Sequence, residues 1–222
     1  MRSCYITGTD TGIGKTRSSA ALLHAWRARG ARAVGMKPVA SGCKRLDGEW
    51  KNEDAVALIE ASHPRPAYPD CNPFALRLPL APELAARDAG VDVALPPLLA
   101  AHARLTASAD VVVVEGVGGW AAPLSSSLMQ ADLVRALGLP VVLVVGLRLG
   151  CLNHALLSAR VIAADGCRLV GWIANGIDPG MDAVEENIAM LAARLPAPCW
   201  GRLPFDPAAD AMACSRLLQV PA

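Results

Sequence analysis

The chain has almost no net charge: 21 lysines and arginines against 20 aspartates and glutamates leave a formal +1. Without an excess of either sign, no broad field draws it to nucleic acid or to an anionic membrane, and partners of those kinds are not expected. Paired cysteines are missing too. Cys4, Cys43, Cys71, Cys151, Cys167, Cys199 and Cys214 include no CxxC pair, and an odd, scattered set in an apolar chain suits reduced, mostly buried thiols and a cytoplasmic location. Long apolar runs are absent. The longest, Leu137–Leu147, is too short to span a bilayer and is broken by Gly138, Pro140 and Gly146. At the N-terminus, Thr7 to Asp10 interrupt the chain before a signal-peptide core can form. His24, His63 and His102 have no ligand spacing, and no histidine–carboxylate set accompanies Ser125–Ser127, which read as loop and helix cap.

What is present has a strong period. Short β-rich runs at Cys4–Thr7, Ala33–Met36, Val111–Val114, Val141–Val145, Leu169–Ala174 and Cys199–Leu203 are separated by helix-like segments. Those segments are Ser18–Arg29, Glu53–Ala61, Pro97–Ala107, Ala131–Leu137, Leu152–Ala164 and Ala183–Arg194. The valine runs do not alternate with polar residues, which suits strands covered on both faces. The 222 residues can bury one sizeable core and require no second domain. The expectation is therefore one α/β domain over residues 1–222: P-loop NTPase-like and doubly wound, its mostly parallel sheet covered by helices on both faces. Pro64–Pro82 lacks periodicity and is expected to run over the surface at one edge of the site. The five tryptophans read as packing residues, with Trp120 able to border the site.

In such a sheet ligands gather at the carboxyl ends of the strands. The first strand runs into Gly8-Thr9-Asp10-Thr11-Gly12-Ile13-Gly14-Lys15-Thr16, a glycine-rich turn that opens a helix. Backbone N–H groups of such a turn and the positive helix end bind phosphate, a lysine reaches the β/γ-phosphates and a hydroxyl holds Mg²⁺. Gly12, Ile13, Gly14, Lys15 and Thr16 are thus candidate ATP-binding residues, although five residues separate Gly8 from Gly14 where the common loop has four. Three other strand ends carry polar residues: Lys37, Glu115 and Asn175. Glu115, before Gly116-Val117-Gly118-Gly119, suits a Mg²⁺ ligand. By spacing alone Asp54 reads as a helix-start acid that complements the dipole, and Lys37 is balanced between a solvated lysine and a functional one.

Taken together, the motifs resemble those of the dethiobiotin synthetases of biotin biosynthesis. The matching pieces are Thr7–Thr11 with Gly14-Lys15-Thr16, Lys37-Pro38-Val39-Ala40-Ser41-Gly42, Asn52 with Asp54, Val114-Glu115-Gly116 with Gly118-Gly119-Trp120, and Leu149-Gly150-Cys151-Leu152-Asn153-His154. The resemblance implies that CO₂ is joined to 7,8-diaminopelargonate, with ATP split to ADP and phosphate, through a carbamate and a carbamic–phosphoric anhydride. It assigns catalytic roles to Lys37, Lys15 and Thr11, and Mg²⁺ to Thr16, Asp54 and Glu115. The nucleotide site also takes in Gly116, Val117 and Gly118, with Asn175, Gly176, Pro204, Phe205 and Asp206 around the adenine. Ser41 falls near the substrate, and Gly150, Cys151, Leu152 and Asn153 would bind the diamine's carboxylate from the neighbouring subunit of a homodimer.

Two positions depart from the family pattern. Ala81-Pro82-Glu83 stands where many relatives have Ser-Pro-His, and Asn187 lies near a tyrosine position. Partitioning and septum-positioning ATPases share the sheet and loop, but usually carry a second loop lysine where this chain has Asp10, and act through a basic surface or amphipathic tail. Amidating enzymes of corrinoid synthesis carry a further glutaminase domain, for which this chain is expected to be too short.

Overall fold

The computed structural model describes residues 3–46 and 48–221. In chain order its elements are Cys4–Gly8 (β1), Lys15–Arg27 (α1), Ala33–Met36 (β2), Val39–Ala40 (β3), Lys44–Leu46 (β4), Glu49–Lys51 (β5), Glu53–Ala61 (α2), Tyr68–Cys71 (α3), Phe74–Ala75 (β6), Pro82–Asp88 (α4), Leu95–Ser108 (α5), Val111–Glu115 (β7), Gln130–Leu137 (α6), Val141–Leu147 (β8), Cys151–Ala164 (α7), Leu169–Gly176 (β9), Val184–Ala192 (α8), Cys199–Leu203 (β10) and Ala211–Ser215 (α9). Six strands form one sheet in the order β10-β9-β8-β1-β7-β2, and each neighbouring pair is parallel. From β7 the chain jumps across β1 to reach β8, so β1 lies where the winding reverses and the ends of β1, β7 and β2 open onto one crevice.

The absence of alternation in the valine runs has the expected cause. β7 sends Val111 and Val113 into the apolar cluster beneath α1, α2 and α9, and Val112 and Val114 into the one beneath α5 and α6. β8 likewise divides Val142 and Val144 from Leu143 and Val145, the latter pair packing on α7 and α8. Helix α1 commits Leu22, Leu23 and Trp26 to the first cluster, and burial of each such side chain contributes roughly 1.5–3 kcal/mol. Gly138, left-handed at φ 64°, ends α6, where its missing Cβ avoids the usual steric cost.

Several local readings need correction. Pro64–Pro82 is no simple surface run: it contains α3 and β6, β6 pairs with β3, and Cys71, Asn72 and Leu76 are buried. The β4–β5 hairpin, α4 and α9 were not foreseen from periodicity, being too short to show one. Trp50 is 43% exposed on that hairpin rather than packed, and Asp132, not the serine run, accepts from Met129 N at the start of α6. Cys199 is exposed, unlike the buried Cys4, Cys43, Cys71, Cys151 and Cys214. Among the described residues no helix is long and apolar enough to cross a membrane.

Candidate active site

The loop between β1 and α1 is pinned from below. Ile13 is buried in a slot left by glycines on two adjacent strands: a Cβ on Gly8 or on Gly146 would lie within 2.8 Å of its side chain. Asn175, at the end of β9, donates from Nδ2 to Ile13 O at 2.7 Å. That amide lies so close that a Cβ on Gly14 would sit 2.1 Å from it, and Gly14 is left-handed at φ 85°. Asp10 holds the outer side: Oδ1 accepts from Thr11 N at 2.7 Å, Oδ2 pairs with Arg148 at 2.6 Å, and its carbonyl accepts from Lys15 Nζ at 2.8 Å.

Lys37 follows β2, and neighbouring segments fix its backbone: Lys37 N donates to Cys71 O at 2.7 Å and Asn72 Nδ2 donates to Lys37 O at 2.7 Å. Its side chain is buried, the residue being 4% exposed. Nζ donates to Glu115 Oε1 at 2.6 Å and to Gly116 O at 3.2 Å, and pairs with Asp54 Oδ2 at 2.9 Å. Thr16 Oγ1 lies 2.8 Å from Asp54 Oδ1 and 2.9 Å from Glu115 Oε1. Lysine, threonine and two carboxylates from four separate elements thus share one small volume.

Asp54 reaches it because Asn52, not Asp54, caps α2. Asn52 Oδ1 accepts from Asp54 N at 3.0 Å and Ala55 N at 3.3 Å, leaving the Asp54 carboxylate free to turn inward. Sequence spacing favoured the cap for Asp54, and the geometry gives that task to its neighbour.

The charges shift one another. Burial pushes the Lys37 ammonium down, but Glu115 and Asp54 more than offset it, and its pKa lies above the ordinary lysine value. Burial raises the Asp54 carboxyl, and the Lys37 ammonium outweighs that, so Asp54 titrates below the usual range. Lys15 has no such pairing among the described residues: burial, then the nearby Lys37 charge, brings it down to about 8 despite Glu115, Asp54 and Asp10.

The group lines one side of a cleft of about 940 Å³. Thr11, Gly12, Gly14, Ser41, Val117 and Gly118 also line it, and Pro79 to Pro82, the end of the stretch expected at one edge of the site, form a wall. Among the described residues Glu115 Oε2 is buried without a hydrogen-bond partner, an open acceptor on the carboxylate whose Oε1 meets Thr16 and Lys37. Among the described residues no three His, Cys, Asp or Glu side chains converge, yet Mg²⁺ asks for only one or two carboxylates beside phosphates and water. The donor set therefore fits Mg²⁺.

Other candidates lie outside the cleft. Asn175 and Gly176 adjoin the end of β10, where Leu203 pairs with Asn175 and a Cβ on Gly176 would lie 2.6 Å from Phe205 N. Pro204 and Phe205 are thus brought to Asn175 and Gly176, and Asp206 follows in an exposed turn. Gly150 to Asn153 open α7 and do not line the cleft; the Cys151 side chain is buried. Trp120 is also buried, donating from Nε1 to Asp165 at 2.7 Å, and does not border the cleft. Glu83 lies in the first turn of α4, next to the lining residue Pro82, while Asn187 donates to Ala183 O within its own helical turn.

Comparison with known proteins places this geometry in a group. Residues 2–213 match a family model described as an AAA domain. The chain is similar to the ATP-dependent dethiobiotin synthetase BioD of Xanthomonas oryzae pv. oryzae, 66% identical over 217 residues that cover 98% of this chain and 97% of that one. It is similar also to the enzyme of the same name from Xylella fastidiosa, 66% identical over 207 residues, 93% of this chain and 92% of the other. Among solved structures, a ParA family ATPase from Chlorobium tepidum has a TM-score of 0.58 at 11% identity, covering 99% and 91% of the two chains. MinD of Aquifex aeolicus has a TM-score of 0.55 at 16% identity, covering 93% and 84%. Those two likenesses extend to the fold alone.

Proposed function

Because the chain belongs to the family of the ATP-dependent dethiobiotin synthetases, we propose that it closes the ureido ring of dethiobiotin from 7,8-diaminopelargonate, CO₂ and ATP, as a single synthetase unit over residues 1–222. One amine adds to the carbon of CO₂, forming a carbamate and releasing a proton. A carbamate oxygen then attacks the γ-phosphorus and ADP leaves. The second amine attacks the carbonyl carbon of this mixed anhydride, phosphate departs, and the ring is closed.

Each step places negative charge on oxygen, and this chain answers with fixed positive groups. Lys15 and the N–H groups of Gly12 to Thr16 hold the phosphates. Lys37 stabilises the carbamate and the transferring phosphoryl group, with Thr11 and Ser41 lining the approach. Thr16, Asp54 and Glu115 would hold Mg²⁺, which supplies charge neutralisation at the β/γ-phosphate oxygens when bound. Gly116 to Gly118 border the nucleotide, and Asn175, Gly176 and Pro204 to Asp206 surround the adenine. The observation that carries the reading is the buried Lys37 ammonium, locked on Glu115 Oε1 and Asp54 Oδ2 beside the Thr16 hydroxyl.

The reading includes a homodimer, in which the start of α7 from one protomer, Gly150 to Asn153, receives the diamine carboxylate of its partner's site through backbone N–H groups. Leu149 is 96% exposed at that corner, and Leu157 and Val161 are exposed along α7, which supports burial against a second copy. Seven free thiols support action in the reducing cytoplasm.

The test is phosphate release from ATP with Mg²⁺ and bicarbonate, with and without 7,8-diaminopelargonate, while dethiobiotin is followed by mass spectrometry. Diamine-dependent phosphate matched one for one by dethiobiotin is expected. Hydrolysis indifferent to the diamine, with no dethiobiotin, would hand the site to another substrate. Sedimentation velocity at several concentrations, with and without ATP, is expected to give a constant dimer, whereas nucleotide-dependent dimerisation would point to a switch.

A further inference from the structure

Gln130 opens α6 and is fully buried, yet no part of its side chain touches the cleft. All of its hydrogen-bonding capacity goes to β1 and to the loop after β7. Oε1 accepts from Val117 N at 2.7 Å and from Tyr5 Oη at 2.7 Å. Nε2 donates to Gly119 O at 2.6 Å and Trp120 O at 3.3 Å. The orientation of the amide follows from its partners, since Val117 N–H can only donate and the two carbonyls can only accept.

Val117 N–H belongs to the same planar peptide as Gly116 C=O, and in a trans peptide these two groups point in opposite directions. Gly116 O accepts from Lys37 Nζ at 3.2 Å. One peptide plane is thus gripped at its N–H by Gln130 while its oxygen meets the lysine. The grip leaves no slack: a Cβ on Gly116 would lie 2.3 Å from Gln130 Oε1 and 2.7 Å from Tyr5 Oη, and Gly116 N is itself bonded to Ile6 O at 2.9 Å.

We propose that Gln130, backed by the Tyr5 hydroxyl, is a positioning residue for Lys37: by holding the N–H of the Gly116–Val117 peptide it aims that peptide's carbonyl at the ammonium and fixes its third acceptor beside Glu115 and Asp54. A lysine ammonium has three donors, and with all three directed its nitrogen cannot swing along the cleft. The inference rests on the reading that Lys37 is catalytic.

Gln130→Leu keeps the bulk and removes all four hydrogen bonds, whereas Gln130→Glu retains the acceptor for Val117 and Tyr5. In Gln130→Leu, kcat for dethiobiotin formation is expected to fall about thirtyfold, the scale of a sub-ångström misplacement, with KM for ATP within about twofold. Hydrogen exchange at the Val117 amide is expected to quicken. Gln130→Glu should recover most of the lost kcat, and Gln130→Leu placed on Lys37→Ala should cost nothing further. Wild-type kcat in Gln130→Leu, an equal loss in Gln130→Glu, or a loss shared with ATP binding would overturn the proposal. Should Gln130→Leu not fold, Tyr5→Phe carries the test: a kcat about threefold lower supports the clamp, and wild-type kcat refutes it. Lys37→Ala measured alone separates the two ideas, because retained turnover there removes the role of Lys37 without any change to Gln130.

Discussion

Helices α1 and α7 begin alike and are held differently. Each follows one of two adjacent strands, β1 and β8, and each starts after a left-handed glycine, Gly14 at φ 85° and Gly150 at φ 94°, with no side-chain cap and no acid in the first turn. Both ends therefore present free N–H groups at the same edge of the sheet. Around Gly14 the chain is packed, with the Asn175 amide where a Cβ would stand, whereas a Cβ on Gly150 would meet none of the described residues within 4 Å. Phosphoryl transfer needs charges fixed to within fractions of an ångström, and beside the α1 end Lys37, Asp54 and Glu115 are held on one another. On the proposed reading, the α7 end would be completed by a second copy of the chain.

Breaking the packed end is expected to have the largest effect. Lys37→Ala should lower kcat on the order of 10³-fold while a fluorescent ATP analogue still binds within about threefold, because Lys15 and the loop remain. By contrast Cys151→Ala, at the open end, should leave kcat within about twofold, since that thiol is buried and the Cys151 N–H already donates to Arg148 O at 3.0 Å. Steady-state rates on both variants decide this; a large loss in Cys151→Ala would bring side-chain chemistry to the α7 start.

The two glycines give the sharpest contrast. Gly14→Ala is expected to destabilise by about 3 kcal/mol, combining left-handed strain with a clash against Asn175. Gly150→Ala carries the strain without the clash, about 1 kcal/mol. Urea unfolding of the two variants side by side is the measurement, and equal costs would show that the Asn175 contact does not constrain the loop.

The same contrast explains what the sequence could reveal. Strands were legible because burial on both faces leaves unbroken valine runs, and the phosphate loop was legible because its donors are contiguous. Glu115 announced itself at a strand end before glycines. Asp54 did not: its partner Thr16 is 38 positions away, and an acid at a helix start looks like any dipole partner, so only family resemblance gave it a role. Asn72 and Gln130 left no signal, since a neutral amide in a proline-rich run or at a helix start acquires its task only when distant backbone arrives. Pro64–Pro82 was legible as a run over one edge of the site, but not which of its residues, Pro79 to Pro82, would line the cleft.

A subtler probe uses Lys15. Its folded-state pKa, about 8, lies below that of an unfolded lysine, so between about pH 8 and 10.5 the unfolded chain binds more protons and stability of the free protein rises with pH. Nucleotide phosphates favour the charged form and reverse the sense for binding. ATP affinity is expected to fall by up to tenfold per pH unit above about 8, with close to one proton taken up per ATP at pH 9. Calorimetry in buffers of different ionisation enthalpy reads that proton, and Lys15→Arg should abolish the uptake. No uptake in the native chain would mean that Lys15 stays charged throughout.

The smallest effect expected lies on the bond that joins the two helix starts. Arg148, two residues before Gly150, pairs with Asp10 at 2.6 Å, but the two side chains are 42% and 47% exposed. Water and salt screen such a pair, and Arg148→Ala should cost about 0.5 kcal/mol, less at high ionic strength. Its kinetic effect should be larger than its thermodynamic one, because Asp10 Oδ1 also accepts from Thr11 N and the Asp10 carbonyl holds Lys15. A modest rise in KM for ATP, absent in Arg148→Lys at low salt, would mean that the packed end depends on the open one. If Arg148→Ala binds ATP like the native chain at every salt concentration, Ile13 and Asn175 suffice to hold the loop, and the two helix starts work independently.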